Sequence, residues 1–188
     1  MVLMSTHKEL HEAIQSTATR LGTLSAFEAL ILALCDQPET IGVCVTGVLC
    51  SADAWQLVQH QWPLLRSLDL SFCSTDAAAM ARLALGAWPL LTSLTLHAAS
   101  LTAEDIKCLV PAKWPSLAHL DLERNTLDTA AVVWLTRCSF PQLVTLKLGG
   151  NKLTMMSIEA LVQGKWPWPE SLSPAAEQAA FSCAYFCK

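Results

Sequence analysis

Hydrophobic and polar residues follow an uneven but regular order in the stretch LAHLDLERNTL, which spans residues 117–127. Its leucines stand at positions 117, 120, 122 and 127, with an asparagine at 125. Two leucines separated by one residue predict a short strand with a single apolar face. The steps of three and five around that pair fit neither a longer strand nor an amphipathic helix. The pattern therefore predicts a short strand that passes directly into a turn.

The same pattern returns every 26 residues. An aromatic residue followed by proline opens each copy at positions 62, 88, 114, 140 and 166, and a weaker copy that is one residue shorter begins at Gln37. Proline cannot continue a helix and favours an extended entry into the next strand. Apolar residues two apart predict one buried face in every strand, at Val43 and Val45, Leu68 and Leu70, Leu94 and Leu96, Leu120 and Leu122, and Leu146 and Leu148.

Each copy continues into a helix with one apolar stripe. The stripe comes from two columns three residues apart, which contain Met80, Ile106, Val132 and Ile158, and Leu83, Leu109, Leu135 and Leu161. Helix starts are predicted where short polar side chains can cap the first turn, at Ser51, Asp76, Thr102, Asp128 and Thr154.

One column in the turn holds Val48, Cys73, Ala99, Asn125 and Asn151. Asparagine or cysteine there can bond to backbone groups of neighbouring turns, whereas valine and alanine cannot. The N-terminal half is therefore predicted to be less regular.

A unit of strand, turn and helix cannot bury its own apolar face, so the units are predicted to stack. The motif LxxLxLxxNxL, carried by LAHLDLERNTL and LVTLKLGGNKL, resembles the leucine-rich repeat family, in particular its ribonuclease-inhibitor-like and cysteine-containing subclasses. The resemblance covers about residues 37–172. It implies an α/β leucine-rich-repeat solenoid with the shape of a curved horseshoe, in which a parallel β-sheet forms the concave face and the helices form the convex face.

Both ends of the array depart from the pattern. Residues 1–36 are predicted to form an N-terminal helical cap that includes a helix-only half-repeat, and the repeats occupy 37–172, with a partial copy at 166. The remaining residues, 173–188, either form a capping helix that begins near Pro174, are disordered, or end a truncated array.

Polar side chains stand between the buried strand positions and are predicted to line the concave face. The candidate partner-binding residues are Asp69, Ser71, Thr95, His97, His119, Asp121, Glu123 and Lys147. Since adjacent strands lie roughly 4.8 Å apart, His97 is expected beside Glu123, and Asp121 beside Lys147.

The resemblance implies a non-catalytic module that binds a protein partner through this face. The alternative is a structural scaffold, or a fragment of a longer array, that associates with itself through its ends, in particular the C-terminal end. No spacing motif supports an enzyme, a metal site or a cofactor, although His97, His119, Asp121 and Glu123 are side chains of ligand type.

Composition narrows these possibilities. The 188 residues are 53% hydrophobic and 15% charged, which excludes a disordered charged tail, and the net charge of −4 argues against nucleic acid as a partner. The sequence shows neither a secretory signal nor an apolar stretch of membrane-spanning length, so a cytoplasmic protein is expected. Most of the eight cysteines are accordingly expected to be small buried residues in a reducing compartment.

Overall fold

The computed structural model describes residues 42–45, 48–59 and 62–163. The predicted N-terminal cap over 1–36, the repeat starts at 37 and 166, and the predicted tail over 173–188 lie outside these residues. The described residues contain seven short strands and five helices.

Five short strands form one parallel sheet, in which every strand pairs with the strand of the next copy. In sheet order they are β1 (Gly42–Cys44), β3 (Ser67–Asp69), β5 (Ser93–Thr95), β6 (His119–Asp121) and β7 (Thr145–Lys147). The leucine columns lie in register, since Leu68 pairs with Leu94, Leu94 with Leu120, and Leu120 with Leu146. The predicted α/β class with a parallel sheet is confirmed.

A helix follows each of these strands. The five helices are α1 (Ser51–Gln59), α2 (Ala77–Leu83), α3 (Ala103–Cys108), α4 (Thr129–Leu135) and α5 (Met155–Gln163), and each packs against the next in chain order. Two further strands, β2 (Val48–Leu49) and β4 (Ser74–Thr75), form a separate parallel pair in the first two turns.

The core lies between the sheet and the helices. The strand leucines face the helix stripe, and both sets are buried from the first to the fourth copy. In α5, which packs against α4, the stripe residues Ile158 and Leu161 are only half-buried.

Aromatic rings form a second buried column at the entrance to the strands. The rings of Trp88 and Trp114 stack with centroids 5.8 Å apart, and those of Trp114 and Phe140 stack at 5.9 Å. The indole N–H of Trp114 donates to the carbonyl of Gly86 at 3.1 Å. A side chain at position 86 has no room, because a Cβ there would lie 2.6 Å from the Trp88 ring. The recurring aromatic residue is therefore structural.

The chain leaves each of four strands through a left-handed residue. These residues are 26 positions apart and have positive φ angles: Phe72 at 59°, Ala98 at 52°, Arg124 at 54° and Gly150 at 69°. Three of the four are not glycine, although this conformation costs an ordinary residue roughly 1–2 kcal/mol. The conformation is held by a hydrogen-bond ladder, in which Phe72 N–H donates to His97 O at 2.8 Å and Ala98 N–H to Glu123 O at 2.9 Å.

Asn125 joins neighbouring turns, as the asparagine column predicts. Its side-chain oxygen accepts from the N–H groups of Ala99 and Leu101, both at 3.0 Å. Its amide donates to the carbonyl of Leu96 in the preceding copy at 2.8 Å, and to Leu122 in its own copy at 3.0 Å.

Asn151 repeats part of this bonding one copy later, accepting from Leu127 N–H at 3.1 Å and donating to Leu122 O at 2.9 Å. The Cys73 thiol donates to Val45 O at 3.1 Å. The predicted role of asparagine and cysteine in this column is confirmed.

Two predictions in the first copy are wrong by one residue. Helix α1 begins at Ser51 itself, so the capping position is Cys50, whose N–H donates to the Asp53 carboxylate at 3.2 Å. Val48 pairs with Ser74, the residue after Cys73, and therefore does not belong to the asparagine column. The residue missing from this copy falls between Val45 and Val48, not at its end.

Three other helix starts lie where the sequence predicts them. Asp76 and Asp128 accept hydrogen bonds from N–H groups three residues later, at 2.7 Å and 3.1 Å. At Thr102 donor and acceptor are exchanged. Thr102 donates from both its N–H and its hydroxyl to the carboxylate of Asp105, three residues later.

Thr154 also precedes a helix, α5, but there the Ser157 hydroxyl accepts from the Thr154 N–H at 3.0 Å. In these four copies the capping column therefore marks the helix start correctly, without fixing which side chain accepts the bond.

The cysteines only partly follow expectation. Cys73 is buried, Cys108 and Cys138 are half-buried, and Cys50 is exposed as a free thiol. The expectation covered most of the eight cysteines, and of these four Cys50 is the exception to it. Burial raises the pKa of the Cys138 thiol to about 12, so this group is protonated at neutral pH.

Candidate functional site

Polar side chains cover the side of the parallel sheet that faces away from the leucine core. We call this surface the polar sheet face and define it by the eight predicted residues: Asp69, Ser71, Thr95, His97, His119, Asp121, Glu123 and Lys147. Each is half-buried or exposed, whereas the leucines between them are buried. The alternation follows from strand geometry, since successive side chains point to opposite sides.

One row of the face crosses four strands at the same level. It runs from Asp69 through Thr95 and Asp121 to Lys147. The ammonium of Lys147 donates to Asp121 Oδ2 at 3.0 Å, which confirms the predicted pairing of these side chains. The hydrogen bond from Lys147 to Asp121, the negative charge of Asp121 and that of Glu123 raise the pKa of Lys147, and the small burial opposes them.

A second group lies two residues further along the strands, where the turns begin. His97 Nδ1 is 3.9 Å from Glu123 Oε2, so the predicted neighbourhood of these residues is also confirmed. Asp121 belongs to the same group, because its Oδ1 accepts the Glu123 backbone N–H at 3.0 Å. One ligand atom from each of His97, Asp121 and Glu123 lies within 4.8 Å of the other two.

The remaining predicted residues stand apart from this group. Asp69 Oδ1 accepts hydrogen bonds from both the N–H and the hydroxyl of Ser71, so these two side chains are paired with each other. Asp69 lies two strands from Asp121, about 10 Å at the usual strand spacing. His119 lies at the other end of β6, level with Ser93 and Thr145. The charged centre of the face is therefore formed by Asp121, Glu123 and Lys147 together with the imidazole of His97, and Asp69 and His119 lie apart from it.

Sequence reasoning missed Phe72, the most prominent apolar side chain at the edge of this face. Its side chain is 66% exposed, and its ring meets that of His97 edge-on, with centroids 5.4 Å apart. The signal was present in the repeat, because Phe72 stands in the turn column that elsewhere contains Ala98, Arg124 and Gly150. A large aromatic residue at an exposed turn position is unusual enough to have been singled out.

The charged centre offers two carboxylates, an ammonium and an imidazole, and Phe72 adds an aromatic surface beside them. Exposed aromatic side chains next to polar groups are typical of residues that anchor protein contacts.

Comparison of the sequence with models of known protein families gives no match, and comparison with curated proteins gives none either. Among the described residues, no helix is both long and apolar enough to cross a membrane.

Proposed function

We propose that this protein is a leucine-rich-repeat solenoid that binds a protein partner on the polar sheet face without catalysing a reaction. The proposal is supported by the unit organisation, in which a strand, a turn and a helix repeat at 26-residue intervals and each strand pairs with the next. The asparagine bonding between turns at Asn125 and Asn151 also agrees with the family motif.

One observation carries the binding proposal: Phe72 is exposed, held in place, and adjacent to the charged centre. Its backbone is fixed by the hydrogen bond to His97 O, and its ring is fixed against the His97 imidazole. An anchor that is already ordered loses little conformational entropy when a partner covers it, which favours affinity. The neighbouring Glu123 and Asp121 supply directional contacts that favour specificity.

The test is an affinity capture from a lysate of the source organism with three baits. The first bait is the wild-type chain, and the second carries Phe72→Ser and Glu123→Lys on the polar sheet face. The third, a matched control, carries Leu85→Ser and Glu104→Lys, which change an exposed apolar residue and an exposed glutamate outside that face. All three baits must first show the same helicity and the same melting temperature.

We expect one protein to be captured by the wild type and the control and to be lost with the face variant. Purified partner should then bind the face variant at least about tenfold more weakly, because losing one anchor residue costs roughly 2 kcal/mol or more. Equal capture by all three baits would contradict the proposal. Recovery of the bait protein alone by every bait would favour the alternative of self-association through the ends.

A further inference from the structure

The cluster of His97, Asp121 and Glu123 has a composition that recognition of a protein does not require. It brings one imidazole nitrogen and two carboxylate oxygens within 4.8 Å of one another at the ends of β5 and β6. Around a bound transition metal, ligand atoms stand roughly 3–3.5 Å apart, given metal–ligand bonds of about 2.1 Å. The widest of these separations therefore needs to shorten by about 1.3–1.8 Å for all three atoms to reach one ion.

We propose that His97, Asp121 and Glu123 form a binding site for a divalent transition-metal ion. The imidazole favours the series from Mn²⁺ to Zn²⁺ over Mg²⁺ and Ca²⁺, which prefer oxygen ligands alone. Three protein ligands on one side leave the other coordination positions to water or to a group from a partner.

The backbone and neighbouring side chains hold these ligands in place. Asp121 Oδ1 accepts the Glu123 N–H, which fixes the carboxylate relative to the turn. The ring of Phe72 packs edge-on against the His97 imidazole and limits its rotation. Glu123 lies over Gly149, where even a Cβ would come within 3.1 Å of its Oε1, so the glycine provides the space that this side chain occupies.

A cation already occupies one edge of the cluster. The Lys147 ammonium lies 3.0 Å from Asp121 Oδ2, and the negative charges of Asp121 and Glu123 help to hold it there. A metal ion that takes Asp121 as a ligand must compete with this ammonium. Removing the charge of Lys147 is therefore expected to tighten metal binding.

The probe is Mn²⁺, added to the full chain and followed by the electron paramagnetic resonance signal of the free ion. The chain has eight cysteines, which bind softer ions such as Zn²⁺, so Mn²⁺ avoids a background from thiolates. Because Mn²⁺ is the weakest binder of the series, its binding also implies binding of the later ions. The variants are His97→Ala, Glu123→Gln and Lys147→Gln, and His119→Ala is the control from the same sheet surface.

We expect His97→Ala and Glu123→Gln each to raise the dissociation constant by about tenfold or more. Lys147→Gln should lower it by roughly two- to fivefold, the equivalent of an exposed ion pair. His119→Ala should leave it within about a factor of two, since His119 lies outside the cluster.

An unchanged dissociation constant for His97→Ala would overturn the proposal, because the binding would then be non-specific attraction to carboxylates. Absence of bound Mn²⁺ at millimolar concentration, together with absence of bound Co²⁺, which binds more tightly, would overturn it as well. Glu123→Gln preserves the shape of the side chain, so it reports on the site even if His97→Ala changes the fold. Neither outcome bears on protein recognition, which the capture experiment measures separately with the chelator EDTA present.

Discussion

At the residue scale, single polar side chains stabilise the turns, whose conformation the leucine pattern alone does not determine. Asn125 is 6% exposed and bonds to backbone groups in two consecutive turns. A buried backbone N–H group without a hydrogen-bond acceptor lowers the stability of the fold. By accepting such bonds, the Asn125 side chain stabilises the neighbouring turn as well as its own. Ala99, which stands in the same column one copy earlier, donates one of these bonds from its N–H to the Asn125 side chain.

Asn125→Ala is expected to lower the free energy of unfolding by about 2–6 kcal/mol, because it leaves the N–H groups of Ala99 and Leu101 without their acceptor. Urea denaturation measures the change. Asn151→Ala is the comparison, since Asn151 is half-buried and makes fewer such bonds. An equal or larger loss of unfolding free energy in Asn151→Ala would contradict the view that the number of buried backbone bonds sets the contribution of each asparagine.

Cys138 and Cys50 are expected to differ sharply in reactivity toward iodoacetamide at pH 8. The pKa of Cys138 is raised to about 12 by burial, so only roughly one thiol in ten thousand is the reactive thiolate at that pH. Cys50 is exposed and should be alkylated first, as mass spectrometry of timed samples would show. In urea the difference should disappear, and equal rates in the folded protein would mean that Cys138 is accessible.

At the scale of elements, the turns carry strain that the strands and helices do not. The left-handed residues that follow four of the strands adjoin a ladder of backbone hydrogen bonds, and among these four only Gly150 adopts its conformation at no steric cost. Ala98 is the clearest case for testing this, because its side chain is small and its replacement removes little packing.

Ala98→Gly is therefore expected to stabilise the protein by about 0.5–1 kcal/mol, since relief of the left-handed strain exceeds the entropy that glycine loses on folding. Ala118→Gly, at a position without a positive φ just before β6, should destabilise it by a similar amount. Thermal denaturation of both variants tests the pair. A loss of stability at both positions would show that the turns are not strained.

At the scale of the whole molecule, the period of 26 residues made most of the described architecture predictable. A column of leucines two residues apart fits one strand register, so the positions of Leu120 and Leu122 followed directly. The same register brought Asp121 beside Lys147 and His97 beside Glu123, as the structure confirms.

The sequence-based predictions were wrong at the aligned repeat positions whose residues have little side-chain chemistry in common. The first copy lacks one residue, and its apolar residues Val45 and Val48 allow more than one alignment, so the gap was misplaced and Ser51 was assigned as a cap. Phe72 was missed because its column holds phenylalanine, alanine, arginine and glycine, which share a backbone conformation but no side-chain property.

The order of strands in the sheet also matters for how the protein is made. Each strand of the five-stranded sheet pairs with the next one along the chain, and β3, β5, β6 and β7 follow one another in steps of 26 residues. A ribosome therefore delivers these strands in the order in which they lie in the sheet. Each newly synthesised unit emerges after the neighbour against which it packs, so the sheet can extend strand by strand during synthesis.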